Sequence, residues 1–189
     1  MLNQIRPAIV ILAFFIALTG LGYPLAITGI AQSLMPAQAN GSLIRNGDAV
    51  IGSSLIGQTF TADRYFWPRP SATSPNAYNA AASSGSNLGT TSAKLKDRVA
   101  GDVVRLNGAG IASPVPADAV TTSGSGLDPH ITPDFAAAQV ERIAKARSLP
   151  PEAVKALVEQ KTEGRLLEII GEPRVNVLEL NLALDALKS

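Results

Sequence analysis

No charged residue lies between Arg6 and Arg45, and within that interval Ala8–Ile30 reads AIVILAFFIALTGLGYPLAITGI. A run this long and apolar can cross a hydrocarbon core about 30 Å thick. Its roughly dozen Leu, Ile, Val and Phe residues each favour insertion by about 0.3 to 0.6 kcal/mol, offset only in part by Gly, Thr and Pro. A transmembrane helix is therefore expected over 8–30, after a short N-terminal tail, 1–7, and before an exit segment, 31–40. Pro24 removes one backbone donor, which membrane helices tolerate, and predicts a kink near Gly20–Pro24. Ala13 and Ala17, like Gly22 and Ala26, are four apart and suit either close approach of a partner helix or plain lipid contact. The competing reading is a cleavable signal peptide, since Ala37-Gln38-Ala39 has the small-x-small form of a cleavage site. Against it stand the length of the run, its internal proline and the sparse basic region before it. Arg6 plus the amino terminus outweighs Arg45, which tips the orientation toward a cytoplasmic N-terminus.

The remaining stretch, 41–189, is long enough for one domain with its own core. The 189 residues include no cysteine, so disulfides, thiolate metal sites and a cysteine nucleophile are excluded. Sixteen basic and fifteen acidic residues nearly cancel without long runs of either sign, which argues against a nucleic-acid partner.

The expected class is α+β: one mixed domain with a small sheet and several helices behind the single anchor. Ser33–Asn40 reads as a short exit that keeps the domain near the bilayer. Over Gly41–Phe60 two short apolar runs flank Asn46-Gly47-Asp48, predicting a hairpin. Trp67-Pro68-Arg69-Pro70 forbids regular structure and opens a long Ser/Asn/Ala/Gly-rich loop to Thr91, which Tyr65, Phe66, Trp67 and Tyr78 can pack down. Ser92 caps a predicted helix with Leu95, Val99, Val103 and Leu106 on one face. A short turn or helix is expected at Pro114–Asp118. One helix is expected from Thr132 or Pro133 to Arg147 with Phe135, Val140, Ile143 and Ala144 inward, and another from Pro150-Pro151 to about Lys161. Asn176 caps a last helix carrying Leu178, Leu182 and Leu184, for which strand alternation fits nearly as well.

The chemistry on offer is thin. No G-x-x-x-x-G-K-[ST] loop and no G-x-S-x-G elbow occurs. The lone His130 excludes a multi-histidine zinc site, and a serine hydrolase would have to recruit it from across the fold. No metal site is expected. Val120–Asp128 is a small-residue segment able to present N–H groups and hydroxyls to an anion, although a loop needing positive φ explains it as well. Two alternatives stay open: an anchored envelope hydrolase using His130, and a binding module working through Tyr65–Trp67.

Several blocks nevertheless resemble one family: Gly41–Ile44 and Leu55–Gln58, Tyr65–Thr73 (YFWPRPSAT) with Tyr78-Asn79, Ser84–Leu88, Ser123–Ile131 (SGSGLDPHI) and Gly171–Asn181 (GEPRVNVLELN). Their order and the anchor are similar to the C chain of the Kdp-type potassium-transporting ATPase, a bacterial high-affinity pump. The resemblance implies a subunit that is no enzyme by itself, needed for assembly and coupling. Its implied partners are a channel-like chain that carries potassium and a P-type ATPase chain phosphorylated from ATP. The Asp-Lys-Thr motif of such a phosphorylated chain is absent here. No tightly bound cofactor is implied; ATP would act through the complex, and potassium is the transported ion. The family is described as raising the pump chain's ATP affinity, and Ser123, Gly124, Ser125 and Gly126 look like a loose nucleotide-contacting loop. The implied location is the bacterial inner (plasma) membrane, single-pass, with the domain periplasmic. Such a domain is better placed to cap the outer mouth of the channel-like chain than to touch cytoplasmic ATP.

Overall fold

The computed structural model describes residues 2–187. Its contacts divide the chain into two compact units, Met1–Ile51 and Gly52–Ser189.

In the first unit the apolar run is helical throughout Ile5–Leu34. At 1.5 Å per residue that is about 45 Å, more than a hydrocarbon core requires. Helix α1 (Ile5–Ala17) passes through a π-helical turn, Leu18–Gly22, into α2 (Tyr23–Leu34). The irregularity falls where the proline predicts it. Pro24 has no N–H to donate, and the turn before it is widened so that the Tyr23 N–H reaches back to the Leu18 carbonyl. The Thr19 hydroxyl donates to the Phe15 carbonyl at 2.7 Å. The apolar side chains of this helix are exposed, as lipid-facing groups are. Helical structure resumes in α3 (Pro36–Ala39), where the Asn40 amide closes onto the Pro36 carbonyl and Gln32. The predicted hairpin comes next: β1 (Leu43–Asn46) pairs with β2 (Ala49–Ser53). Gly47, first of the two loop residues, has φ +60°, the sign that a type II′ turn demands there.

The second unit is α+β around one core. Helix α4 (Ala93–Gly108) starts at Ser92, whose hydroxyl accepts from the Leu95 N–H, and its Leu106 is fully buried. The helix expected from Thr132 to Arg147 is two: α5 (Pro133–Ala138) and α6 (Val140–Arg147), interrupted at Gln139. Helix α7 (Pro151–Lys161) packs against α6 and α8 (Val177–Ala186). Asn176 caps α8 by accepting from the Glu179 N–H, which settles helix over strand. Its buried stripe is Val177, Leu180, Asn181 and Leu184 at i, i+3, i+4 and i+7, with Leu178 also inside, so Leu182 is only half-buried. A three-stranded antiparallel sheet that periodicity did not reveal joins β3 (His130–Ile131), β4 (Thr162–Glu163) and β5 (Arg174–Asn176) in the order β3-β5-β4. Val175 of β5 stands opposite both Ile131 and Thr162 and is completely buried. Strands of two or three residues are too short to show alternation in sequence.

Candidate functional site

The segment Asp63–Trp67 enters the core at Phe66 without joining a sheet, and the prolines that follow at 68 and 70 cannot donate to a ladder. Phe66 is fully buried, so its backbone groups need partners other than water. Two buried amides supply them. Asn181 accepts from the Phe66 N–H at 2.8 Å and donates to the Phe66 carbonyl at 3.0 Å. Gln139 does the same for Trp67, accepting at 2.7 Å and donating at 3.2 Å. The break between α5 and α6 falls at this glutamine.

Two arginines complete the row. Arg142 donates to the Asp63 carbonyl, to the Tyr65 carbonyl at 3.0 Å and to Gln139 Oε1 at 2.7 Å. Its guanidinium lies 3.8 Å from the centre of the Trp67 ring. Burial lowers its pKa to about 10, opposed by the Asp63 charge. Arg147 donates to the Arg64 carbonyl at 2.7 Å and to Asp185 at 2.6 Å, and Asp185 also accepts from the Tyr65 hydroxyl at 3.0 Å. Thus every carbonyl from Asp63 to Trp67 accepts from a side chain.

Between the prolines, Arg69 lines a cleft of about 300 Å³ with Asp118, Asp128 and His130 among its other walls. Arg69 pairs with Asp128 at 2.8 Å. The His130 N–H donates to the same carboxylate at 3.0 Å, and the imidazole Nδ1 lies 3.3 Å from it. Burial of Asp128 opposes its ionisation, but these bonds from His130 and Arg69 outweigh burial and hold its pKa at about 2. Tyr78, donating its hydroxyl to the Arg69 carbonyl, is shifted upward, first by burial and then by the Asp128 charge. Asp118 accepts from the Thr132 N–H at 2.7 Å and from its hydroxyl at 3.0 Å. Among the described residues no serine hydroxyl is hydrogen-bonded to the His130 imidazole, and no three His, Cys, Asp or Glu side chains are grouped to hold a metal ion.

Ser123, Gly124, Ser125 and Gly126 form a loop held by its own hydrogen bonds. The Ser123 hydroxyl accepts from the Gly126 N–H at 2.9 Å, and the Ser125 hydroxyl from the Leu127 N–H at 3.1 Å. The Ser125 carbonyl accepts from the Ser84 N–H at 2.9 Å, joining this loop to the Ser/Asn/Ala/Gly-rich loop that precedes α4. Gly126 is required: its φ is +68°, and a Cβ there would lie 2.6 Å from the Ser84 carbonyl oxygen. Both hydroxyls are thus engaged within the loop, while Gly124 and Ser125 form its exposed apex.

A protein-family model described as "K+-transporting ATPase, c chain" matches residues 5–186. A potassium-transporting ATPase KdpC subunit of Allorhizobium ampelinum is 60% identical over 98% of this chain and 97% of its own length. Its counterpart in Bradyrhizobium diazoefficiens is 58% identical over 98% of each chain, and that of Methylobacterium nodulans 56% identical over 99% and 98%. The chain belongs to the KdpC family. Membership of this family spans the apolar helix and the α+β unit alike. Sequence reasoning gave no role at this site to Gln139, Arg142, Arg147 or Asn181. The signal for Asn181 was present: an amide on the otherwise aliphatic stripe Val177, Leu180 and Leu184 must find buried partners.

Proposed function

We propose that this chain is a non-catalytic accessory subunit of a high-affinity, ATP-driven potassium transport complex. It is held in the inner membrane by residues 8–30, with its tail, 1–7, cytoplasmic and, beyond the exit segment 31–40, its domain, 41–189, extracytoplasmic. The observation that carries this reading is the match to the "c chain" family over residues 5–186. In this reading the chain assembles with a channel-like potassium-translocating chain and a P-type ATPase chain. There it caps the outer mouth of the former and supports coupling to the latter, raising its apparent ATP affinity through the assembly. Affinity purification from native membranes in mild detergent, under potassium limitation, should recover both partner chains. Recovery of this chain alone would sink the proposal.

A second reading, direct nucleotide contact at Ser123–Gly126, draws on the exposed apex at Gly124 and Ser125. A topology reporter fused after Ser189 separates the two. An outward C-terminus leaves no route from the domain to cytoplasmic ATP, and an inward one removes the outer cap.

A further inference from the structure

Between β4 and β5 the chain turns back through Leu166-Leu167-Glu168-Ile169-Ile170. The turn is closed by reciprocal hydrogen bonds between Leu166 and Ile170, each 2.9 Å. Its four aliphatic side chains are 57% to 77% exposed. Among the described residues of 52–189 the only other large apolar side chains so exposed are Leu55 and Val104, which stand singly. Single exposed aliphatics are ordinary, whereas four on one turn make a contiguous patch that marks an interaction site. The backbone is strained to present it, since Leu167 and Glu168 have φ of +53° and +64° without being glycine.

The charges around the tip identify what it meets. At its base Arg165 pairs with Glu172 at 2.8 Å and Arg174 with Glu163 at 2.9 Å, so the flanks are neutral in sum and Glu168 leaves the tip negative, the wrong sign for anionic lipid headgroups. The tip has no Trp or Tyr to settle at a bilayer interface, and it carries the carboxylate of Glu168 among its aliphatic groups. An apolar centre inside an ion-paired polar rim is instead the anatomy of a protein interface. We infer that Leu166–Ile170 is a docking tip that seats in an apolar depression on another chain of the same transport complex, with a cationic or N–H group there receiving Glu168. This rests on the assembly reading given above.

The test uses the tagged full chain recovered with its complex from native membranes. The double substitution L167D/I169D should lower recovery of partner chains at least about tenfold, while V104D leaves it unchanged. Because the replaced side chains are exposed, the double variant should unfold at the wild-type temperature. Wild-type recovery of partners by the double variant overturns the inference and leaves the assembly reading intact. A wild-type chain that brings no partner overturns both. If the double variant misfolds, a benzoylphenylalanine photocrosslinker at position 169, which keeps the tip apolar, decides. A crosslink to a second polypeptide of the complex is expected, and one to lipid alone, or none, overturns the inference.

Discussion

Asp63–Trp67 and Leu166–Ile170 are both irregular, both rich in large apolar side chains, and opposite in fate. In the first, five successive carbonyls are taken up by Arg142, Arg147, Asn181 and Gln139, and Phe66 is fully buried. In the second, backbone bonds close only the turn, and the aliphatic side chains are left exposed. Hydrophobic content alone therefore does not bury a loop. A segment outside a helix or sheet can enter the core only if side chains elsewhere satisfy its backbone, and the amides and guanidinium groups of α6, α8 and the Gln139 break do so for one loop alone.

The sharpest way to break this contrast is Asn181→Leu. The volume is nearly kept, but the Phe66 N–H and carbonyl are left buried and unpaired, at about 1 to 3 kcal/mol for each group. We expect a loss of roughly 4 kcal/mol in denaturant unfolding of the full chain in detergent. A loss below about 1 kcal/mol would mean that water reaches Phe66 and that the amide is dispensable. Gln139→Leu should come next at about 3 kcal/mol, because Trp67 is only half-buried and water can partly replace the amide. Its fluorescence should also shift toward that of a hydrated indole as Arg142 loses one anchor on the ring.

The sequence declared the helices here more openly than the contacts that matter most. Ser92, Thr132 and Asn176 could be placed at helix starts, the last against a strand alternative, because a cap is a local bond, made within three residues of its own position. Asn46-Gly47-Asp48 announced the hairpin for the same reason. The three-stranded sheet was illegible because its register joins residue 131 to 175 and 175 to 162 through strands too short to alternate. The Ser123–Gly126 loop was visible as a small-residue segment, but its bond to Ser84 depends on a distant loop. Gln139 and Asn181 read as ordinary helix residues until the chain at 66 and 67 is laid across them.

Acid tests the chain just beyond that first segment, where Arg69 meets Asp128. The Asp128 carboxyl titrates at about 2 in the fold, against an ordinary value of 3.8. A depressed carboxylate contributes stability that is complete above its unfolded pKa and lost as pH falls through its folded one. The window is therefore about pH 4 down to about pH 2, and the loss is on the order of 2 kcal/mol. Unfolding temperatures followed through that window should fall for the wild type and show a shallower slope for Asp128→Asn. Equal slopes would place the acid sensitivity on another carboxylate.

The smallest expected effect bears on the exposed loop. Leu167 is held at φ +53°, a conformation that asparagine adopts at lower cost than leucine. At Phe66 any substitution that removes a backbone partner must destabilise the chain. Here Leu167→Asn should leave stability unchanged or raise it by about 0.5 kcal/mol, since the leucine is 75% exposed and its conformation strained. The same variant should weaken partner recovery, because asparagine offers an apolar depression nothing to bury. Opposite signs for stability and assembly identify a side chain retained for contact with another molecule at some cost to its own fold. If Leu167→Asn destabilised the isolated chain by more than about 1 kcal/mol, the leucine would be serving this chain's own core and the contrast between the two loops would collapse.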